Sequence, residues 1–178
     1  IYSVYLYHKL QNAILSPTWI TTVGSMTFSD KTWMPALEAA AEAKKPGIWI
    51  APRSISDGSG NVRTMITYIR LLPLLYSQVK GAFLINIDVE TIRSMVRNFP
   101  LHSKGQLIIF SQDGKLITQT QEKVSLVTTD KLSGRLQTGI ENKSSKTFYD
   151  SDTNTYVTTS HSNWNGWTYA LLIPADLP

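Results

Sequence analysis

Gly81-Ala82-Phe83-Leu84-Ile85-Asn86-Ile87-Asp88, which continues as Val89-Glu90-Thr91-Ile92-Arg93-Ser94-Met95-Val96-Arg97-Asn98-Phe99-Pro100, changes its period midway. Up to Ile87 the run is rich in branched and aromatic residues, which suits a pleated strand. Beyond Asp88 the apolar residues Ile92, Met95, Val96 and Phe99 fall at i, i+3, i+4 and i+7, the spacing of one helix face. Asp88 can cap that helix, and Pro100 lies just past its end. The amphipathic segment 88–99 is the natural join between a first module and a second that starts at Gly105.

Towards the N-terminus, Tyr2, Val4 and Leu6 alternate with Ser3, Tyr5 and Tyr7, and Ala13 to Leu15 form a second strand-like run before Ser16-Pro17. Ser29-Asp30 opens a turn, Pro35 fits the first turn of a helix through Ala36 to Ala43, and Lys44-Lys45-Pro46-Gly47 stops it. Ile48 to Ile50, Arg63 to Leu72 and Ala82 to Ile87 read as further strands, the first two separated by the turn Asp57-Gly58-Ser59-Gly60-Asn61. Towards the C-terminus, Leu107 to Phe110 and Lys115 to Thr118 flank the hairpin signal Asp113-Gly114. A short helix is predicted around Asp130 to Gln137. A meander then runs through Thr147 to Asp150, Thr155 to Ser160 and Thr168 to Ile173, with Asn165-Gly166 turning its last hairpin. Each module reads as strands, helix, strands, which is the pattern of an α+β fold with a mostly antiparallel sheet.

Composition limits the function classes. In 178 residues, 42% are hydrophobic and only 17% charged, so the chain is no disordered segment. Its longest strongly apolar stretch, Leu71 to Tyr76, is too short to span a bilayer. The net charge of +4 comes from scattered basic residues, so no nucleic-acid stripe forms. The absence of Cys excludes thiol catalysis and zinc–thiolate sites, and fits an extracytoplasmic bacterial surface. Starting at Ile1 rather than Met, the chain reads as a piece of something longer.

Ile1-Tyr2-Ser3-Val4-Tyr5-Leu6-Tyr7, Phe28-Ser29-Asp30-Lys31-Thr32-Trp33, Gly81 to Asp88, Gly105-Gln106-Leu107-Ile108-Ile109-Phe110 with Asp113-Gly114, and Gly166-Trp167-Thr168-Tyr169 with Ile173-Pro174 succeed one another in that order. The series resembles the double Cache domain, an extracytoplasmic ligand sensor with PAS-like topology. It is similar to the versions in membrane histidine kinases and AraC-type regulators of Gram-positive bacteria. The resemblance implies two tandem modules, membrane-distal over 1–98 and membrane-proximal over 99–178, with the small-molecule pocket in the distal one. It also implies a long leading helix that this chain lacks, and a receptor that works as a dimer.

Amino-acid-binding members use an Arg-x-Trp-Tyr segment for the carboxylate, tyrosines on neighbouring strands, and an Asp after the last distal strand for the amine. Here Lys31-Thr32-Trp33-Met34 keeps the Trp, Arg53 stands where a tyrosine is expected, and Asp88 matches the amine-binding Asp. The set is degraded, so an amino-acid ligand cannot be inferred from it.

The residues themselves give each of these positions two roles. Asp88 can meet a ligand ammonium through a charge-assisted hydrogen bond, or cap its helix. Trp33, Trp49 and Tyr68 can wall a pocket in which Arg53 grips a carboxylate, or they can be ordinary core and surface. Asp150-Ser151-Asp152-Thr153-Asn154 imitates a calcium loop, but Thr155 replaces its turn Gly and His161 its bidentate Glu, so it reads as an acidic turn. His8, His102 and His161 show no metal or triad spacing, and Asn142-Lys143-Ser144 is only a formal glycosylation sequon.

The expected function is therefore ligand sensing, with no enzyme activity and no cofactor. The ligand is a small molecule such as an amino acid, organic acid or sugar, bound outside a membrane-anchored parent at Trp33, Trp49, Arg53, Tyr68 and Asp88. The alternative is a ligand-free module that contacts a partner protein or a wall polymer.

Overall fold

Alternation along β1 (Ser3–His8) decides which face of the first sheet is covered, because Tyr5 and Tyr7 are buried while Leu6 between them is exposed. The computed structural model describes residues 1–56, 60–73, 78–98, 101, 105–120 and 145–175. The helix predicted around 130–137, the sequon at 142–144, His102, Asp57-Gly58-Ser59, Phe99 and Pro100 lie outside the described residues, as does part of the apolar run 71–76. The chain divides into two compact units, Ile1–Thr91 and Ile92–Pro178.

The first unit adds β2 (Ala13–Leu15), β3 (Ile20–Thr22), α1 (Met34–Glu42), β4 (Gly47–Ser56), β5 (Val62–Leu72) and β6 (Gly81–Asp88). Its six strands form an antiparallel sheet in the order β3-β2-β1-β6-β5-β4. The first strand thus lies beside the last one, and Ser3 pairs with Asn86 across most of the unit's length. One face carries Tyr5, Tyr7, Ile69, Leu71, Ala82 and Leu84. It is covered by the 23–33 segment and α1 through Val23, Phe28, Trp33, Leu37 and Ala40. Pro35 sits in the first turn of α1, as expected, and Ala43 caps its C-terminal end.

The predicted strand Ile48 to Ile50 extends to Ser56, with one irregularity between Ile50 and Arg53. The predicted switch at Asp88 is present: α2 (Val89–Arg97) begins directly after β6, and the Glu90 backbone N–H donates to Asp88 Oδ1 at 2.9 Å. The buried positions of α2 differ from the predicted stripe, since Val89 and Val96 are buried but Met95 is exposed.

The second unit's sheet is β7 (Gln106–Phe110), β8 (Leu116–Gln119), β9 (Lys146–Asp150), β10 (Thr155–His161) and β11 (Thr168–Pro174), in the antiparallel order β8-β7-β11-β10-β9. Ile108, Phe110, Val157, Ala170 and Leu172 form its core on one face. Both predicted hairpin turns place Gly at positive φ, +77° at Gly114 and +71° at Gly166. Among the described residues no helix is long and apolar enough to cross a membrane.

β1 and β6 approach so closely at Gly81 that an added Cβ would lie 2.2 Å from the Tyr7 carbonyl oxygen. Backbone cannot yield there without breaking the pairing of β1 with β6. Gly81→Ala is therefore expected to destabilise the protein by about 1–3 kcal/mol, seen as a lower urea midpoint; an unchanged midpoint would contradict this packing.

Candidate functional site

Side-chain alternation separates the five residues named from the sequence. Trp49 lies directly opposite Tyr68, with ring centroids 4.9 Å apart, while the neighbouring pair Ile48 and Ile69 belongs to the covered face. Trp49 and Tyr68 therefore occupy the face opposite Trp33. The expectation of one pocket lined by all three rings is corrected on that ground.

Trp33 is wholly buried in the core, its ring against Tyr7 at 5.3 Å, and its indole Nε1–H donates to the Asp30 backbone oxygen at 2.6 Å. A fully buried large apolar side chain contributes about 1.5–3 kcal/mol. Trp33 is an anchor for the segment that carries Asp30.

Arg53 owes its position to the irregularity in β4. Ile50 pairs with Thr67 but Arg53 pairs with Met65, so β4 carries one residue more than β5 across that interval. A bulge of this kind reverses the facing of everything beyond it. Strict alternation from Trp49 would put Arg53 beside it, whereas the bulge turns Arg53 towards Thr67, Asn86 and the covering segment.

There the guanidinium does grip a carboxylate, but the chain's own. Nη1 and Nη2 both bond Asp30, the latter at 3.2 Å. Nη1 also donates to Thr32 Oγ1 at 2.6 Å, Nη2 to Thr67 Oγ1 at 2.8 Å and Asn86 Oδ1 at 3.2 Å, and Nε to Thr67 Oγ1 at 3.2 Å. Asn86 Nδ2–H donates in turn to Asp30 Oδ2 and to Ser3 Oγ. The Asp30 side chain is 3% exposed and that of Arg53 10%. Nothing of this fork is left for a ligand carboxylate.

Asp88 also has chain partners. One oxygen caps α2, and the other accepts Arg63 Nη1–H at 3.1 Å. Lys31, the basic substitute in the Lys-x-Trp segment, is exposed. The calcium-loop imitation at Asp150 closes on itself, since Thr153 Oγ1–H donates to Asp150 Oδ2 at 2.9 Å.

A cleft of about 550 Å³ lies on the covered side of the first unit, and none of the five residues lines it. Its walls come from residues 1–5, the 16–19 turn, the 27–30 segment and the end of β4. Tyr5, Trp19 and Phe28 form a cluster of rings, Trp19 tilted against the other two and Tyr5 edge-to-face with Phe28, with centroids 5.6 to 6.1 Å apart. Asp30 lines the same cleft. Beside it, burial pushes the Tyr5 hydroxyl up from its ordinary 10.0, and the Asp30 charge adds to this; Ser3, Asn86 and Arg53 act in the opposite direction. Tyr5 is a neutral phenol at physiological pH. In the sequence, Tyr5 reads only as strand patterning, and neither Trp19 nor Asp30 carries a signal that marks it as a ligand-site residue.

Removing either member of the buried ion pair leaves an uncompensated charge, so Arg53→Met and Asp30→Asn should each cost about 3–5 kcal/mol, with the double variant costing less than their sum. Equilibrium urea denaturation checks this, and strictly additive costs would contradict the pairing. The raised Tyr5 value means that its stabilising contribution is complete below the unfolded value of 10.0 and is lost as pH rises through the folded one. Tyr5→Phe should therefore flatten the loss of stability as pH rises above about 10.0, leaving the part due to Tyr7, whose hydroxyl is also raised by burial and by Glu38.

No family model matches the chain, and no curated protein does. Solved structures do. The extracellular domain of a candidate histidine kinase, mmHK1S-Z3, is similar with a TM-score of 0.64 at 10% identity, over 98% of this chain and 73% of that one. The periplasmic sensory domain of the Campylobacter jejuni chemoreceptor Tlp1 gives 0.63 at 13%, over 96% and 71%. The ligand-binding domain of the Pseudomonas aeruginosa amino-acid chemoreceptor PctC, in complex with GABA, gives 0.61 at 15%, over 97% and 74%. The chain thus has the fold of extracellular and periplasmic sensor domains of chemoreceptors and histidine kinases.

Proposed function

We propose that this chain is the extracytoplasmic ligand-sensing part of a membrane-anchored signalling receptor, and not an enzyme. It corresponds to a double Cache domain with a membrane-distal module over 1–98 and a membrane-proximal module over 99–178. The output is that of a Gram-positive histidine kinase or AraC-type regulator. A small molecule binds in the distal module and the bound state is transmitted as a conformational change. A coupling of about 1–3 kcal/mol between ligand and output state suffices for such a response.

The observation that carries this reading is the aromatic-walled cleft at Tyr5, Trp19, Phe28 and Asp30, found in a chain whose fold is that of sensor domains. Small-molecule sites combine apolar walls with a few orienting polar groups, and the cleft has both. The degraded amino-acid set is no obstacle, because its members hold the fold: Trp33 anchors the covering segment, Arg53 neutralises Asp30, and Asp88 caps α2.

A second reading, contact with a partner protein or wall polymer, is favoured by one feature. Tyr149 and Tyr156 lie side by side on β9 and β10, half exposed, with ring centroids 5.2 Å apart. Such an amphipathic ring pair is a common contact element.

A thermal-shift screen of the purified chain against metabolites separates the two readings. A ligand at 100 times its dissociation constant stabilises by about 2.7 kcal/mol, or about 5–10 °C for a domain of this size. The expected outcome is a shift of that order from at least one compound. Absence of any shift across the library, together with pull-down of cell-wall material that is lost on Tyr156→Ala, would replace sensing by the contact reading.

A further inference from the structure

We infer that the cleft of the first unit takes an uncharged, hydroxylated small molecule of monosaccharide or polyol type, stacked against Trp19. This rests on the sensing reading and narrows its ligand class.

Charge decides between ligand classes. Among the described residues lining the cleft there is no Lys, Arg or His side chain, and the one carboxylate is Asp30. Its charge is already balanced by Arg53, and its oxygens accept from both Arg53 and Asn86. The other guanidinium against a lining residue, Arg63, stands 5.3 Å from the Tyr2 ring centroid and is paired with Asp88. A ligand carboxylate would therefore meet no Lys, Arg or His side chain among the described lining residues. A ligand ammonium would find only an anion whose charge is cancelled. Burying an unpaired charge is costly, whereas an uncharged ligand escapes that penalty.

The wall chemistry fits the same class. Trp19 is 39% exposed, so part of its ring remains open beside Tyr5 and Phe28. The C–H face of a pyranose or cyclic polyol buries apolar surface against such a ring while its hydroxyls point outwards. Also lining the cleft are Ser16 and Thr18, whose side-chain hydroxyls make no hydrogen bond with the described residues, and Ser29, which donates to the Ser56 carbonyl at 2.7 Å and keeps its lone pairs. Each hydroxyl can both donate and accept, which matches the groups of a sugar. A volume of about 550 Å³ accommodates such a ligand together with bridging water.

The test is calorimetry and thermal shift on the purified chain. The probes are a panel of neutral mono- and disaccharides and polyols, GABA and L-asparagine as zwitterions, and choline as a cation, each at about 10 mM. The expected result is stabilisation by at least one neutral member and by none of the charged ones. Trp19→Ala should weaken that binding by about tenfold or more. Thr18→Val, at an exposed position, should weaken it measurably and keeps the test readable if Trp19→Ala does not fold; Trp164→Ala, in the second unit, should leave it unchanged. Binding of a zwitterion or choline with the neutral panel inert would overturn the ligand class while leaving sensing intact. Binding of a neutral compound that neither cleft variant weakens would overturn the site. No binding from any class would overturn both readings.

Discussion

The buried pair of Arg53 and Asp30 is the contact on which the first unit's covered face depends. Two charges with side-chain exposures of 10% and 3% are tolerable only if every donor finds an acceptor. Here Thr32, Thr67 and Asn86 complete the guanidinium's bonds, and Asn86 Nδ2–H also satisfies Asp30. The covering segment is held at two levels, by Arg53 on the Asp30 carboxylate and by the Trp33 indole on the Asp30 carbonyl. Fixing one residue through both its backbone and its side chain fixes the segment that carries Phe28 and Ser29. Those residues wall the cleft, so its shape is a consequence of the ion pair behind it.

The same pair sets the cleft's electrostatics. A free guanidinium at this place would make an anion site, and a free carboxylate a cation site. Bonded to each other, they leave no unpaired side-chain charge among the described lining residues, which otherwise offer ring surface and hydroxyls. Tyr5, whose hydroxyl burial pushes further above its ordinary 10.0, adds another uncharged hydrogen-bonding group rather than an anion.

Much of the fold is legible in the sequence. The alternation of β1, the Pro35 start of α1, the Asp88 cap and the Gly114 and Gly166 turns are local signals, and local geometry enforces them. The site is legible only in part, for two physical reasons. Period-2 patterning identifies a strand without saying which strands adjoin it, so the pairing of Ser3 with Asn86 cannot be read from either segment. A single inserted residue between Ile50 and Arg53 also inverts the facing of the rest of β4. That inversion parts Arg53 from Trp49 and delivers it to Asp30, and the bulge leaves no unambiguous mark in Ile50-Ala51-Pro52-Arg53 beyond a proline within the strand.

The distance between fold and site explains how a chain at 10–15% identity can share the architecture of the sensor domains while Trp33, Arg53 and Asp88 are engaged within the chain itself. The sheet order and the covering segment need only alternation, a cap and an anchor, which many sequences supply. A site for a charged ligand needs particular charges to be unpaired, and here Arg53 is paired with Asp30 and Asp88 with Arg63. Trp33 shows the division most clearly. It matches the Trp of an amino-acid-binding segment, yet no part of it reaches solvent, and its polar atom is spent on the backbone of Asp30. What the fold leaves open among the described residues of the first unit includes the cleft beside Trp19, whose lining none of Trp33, Arg53 and Asp88 joins.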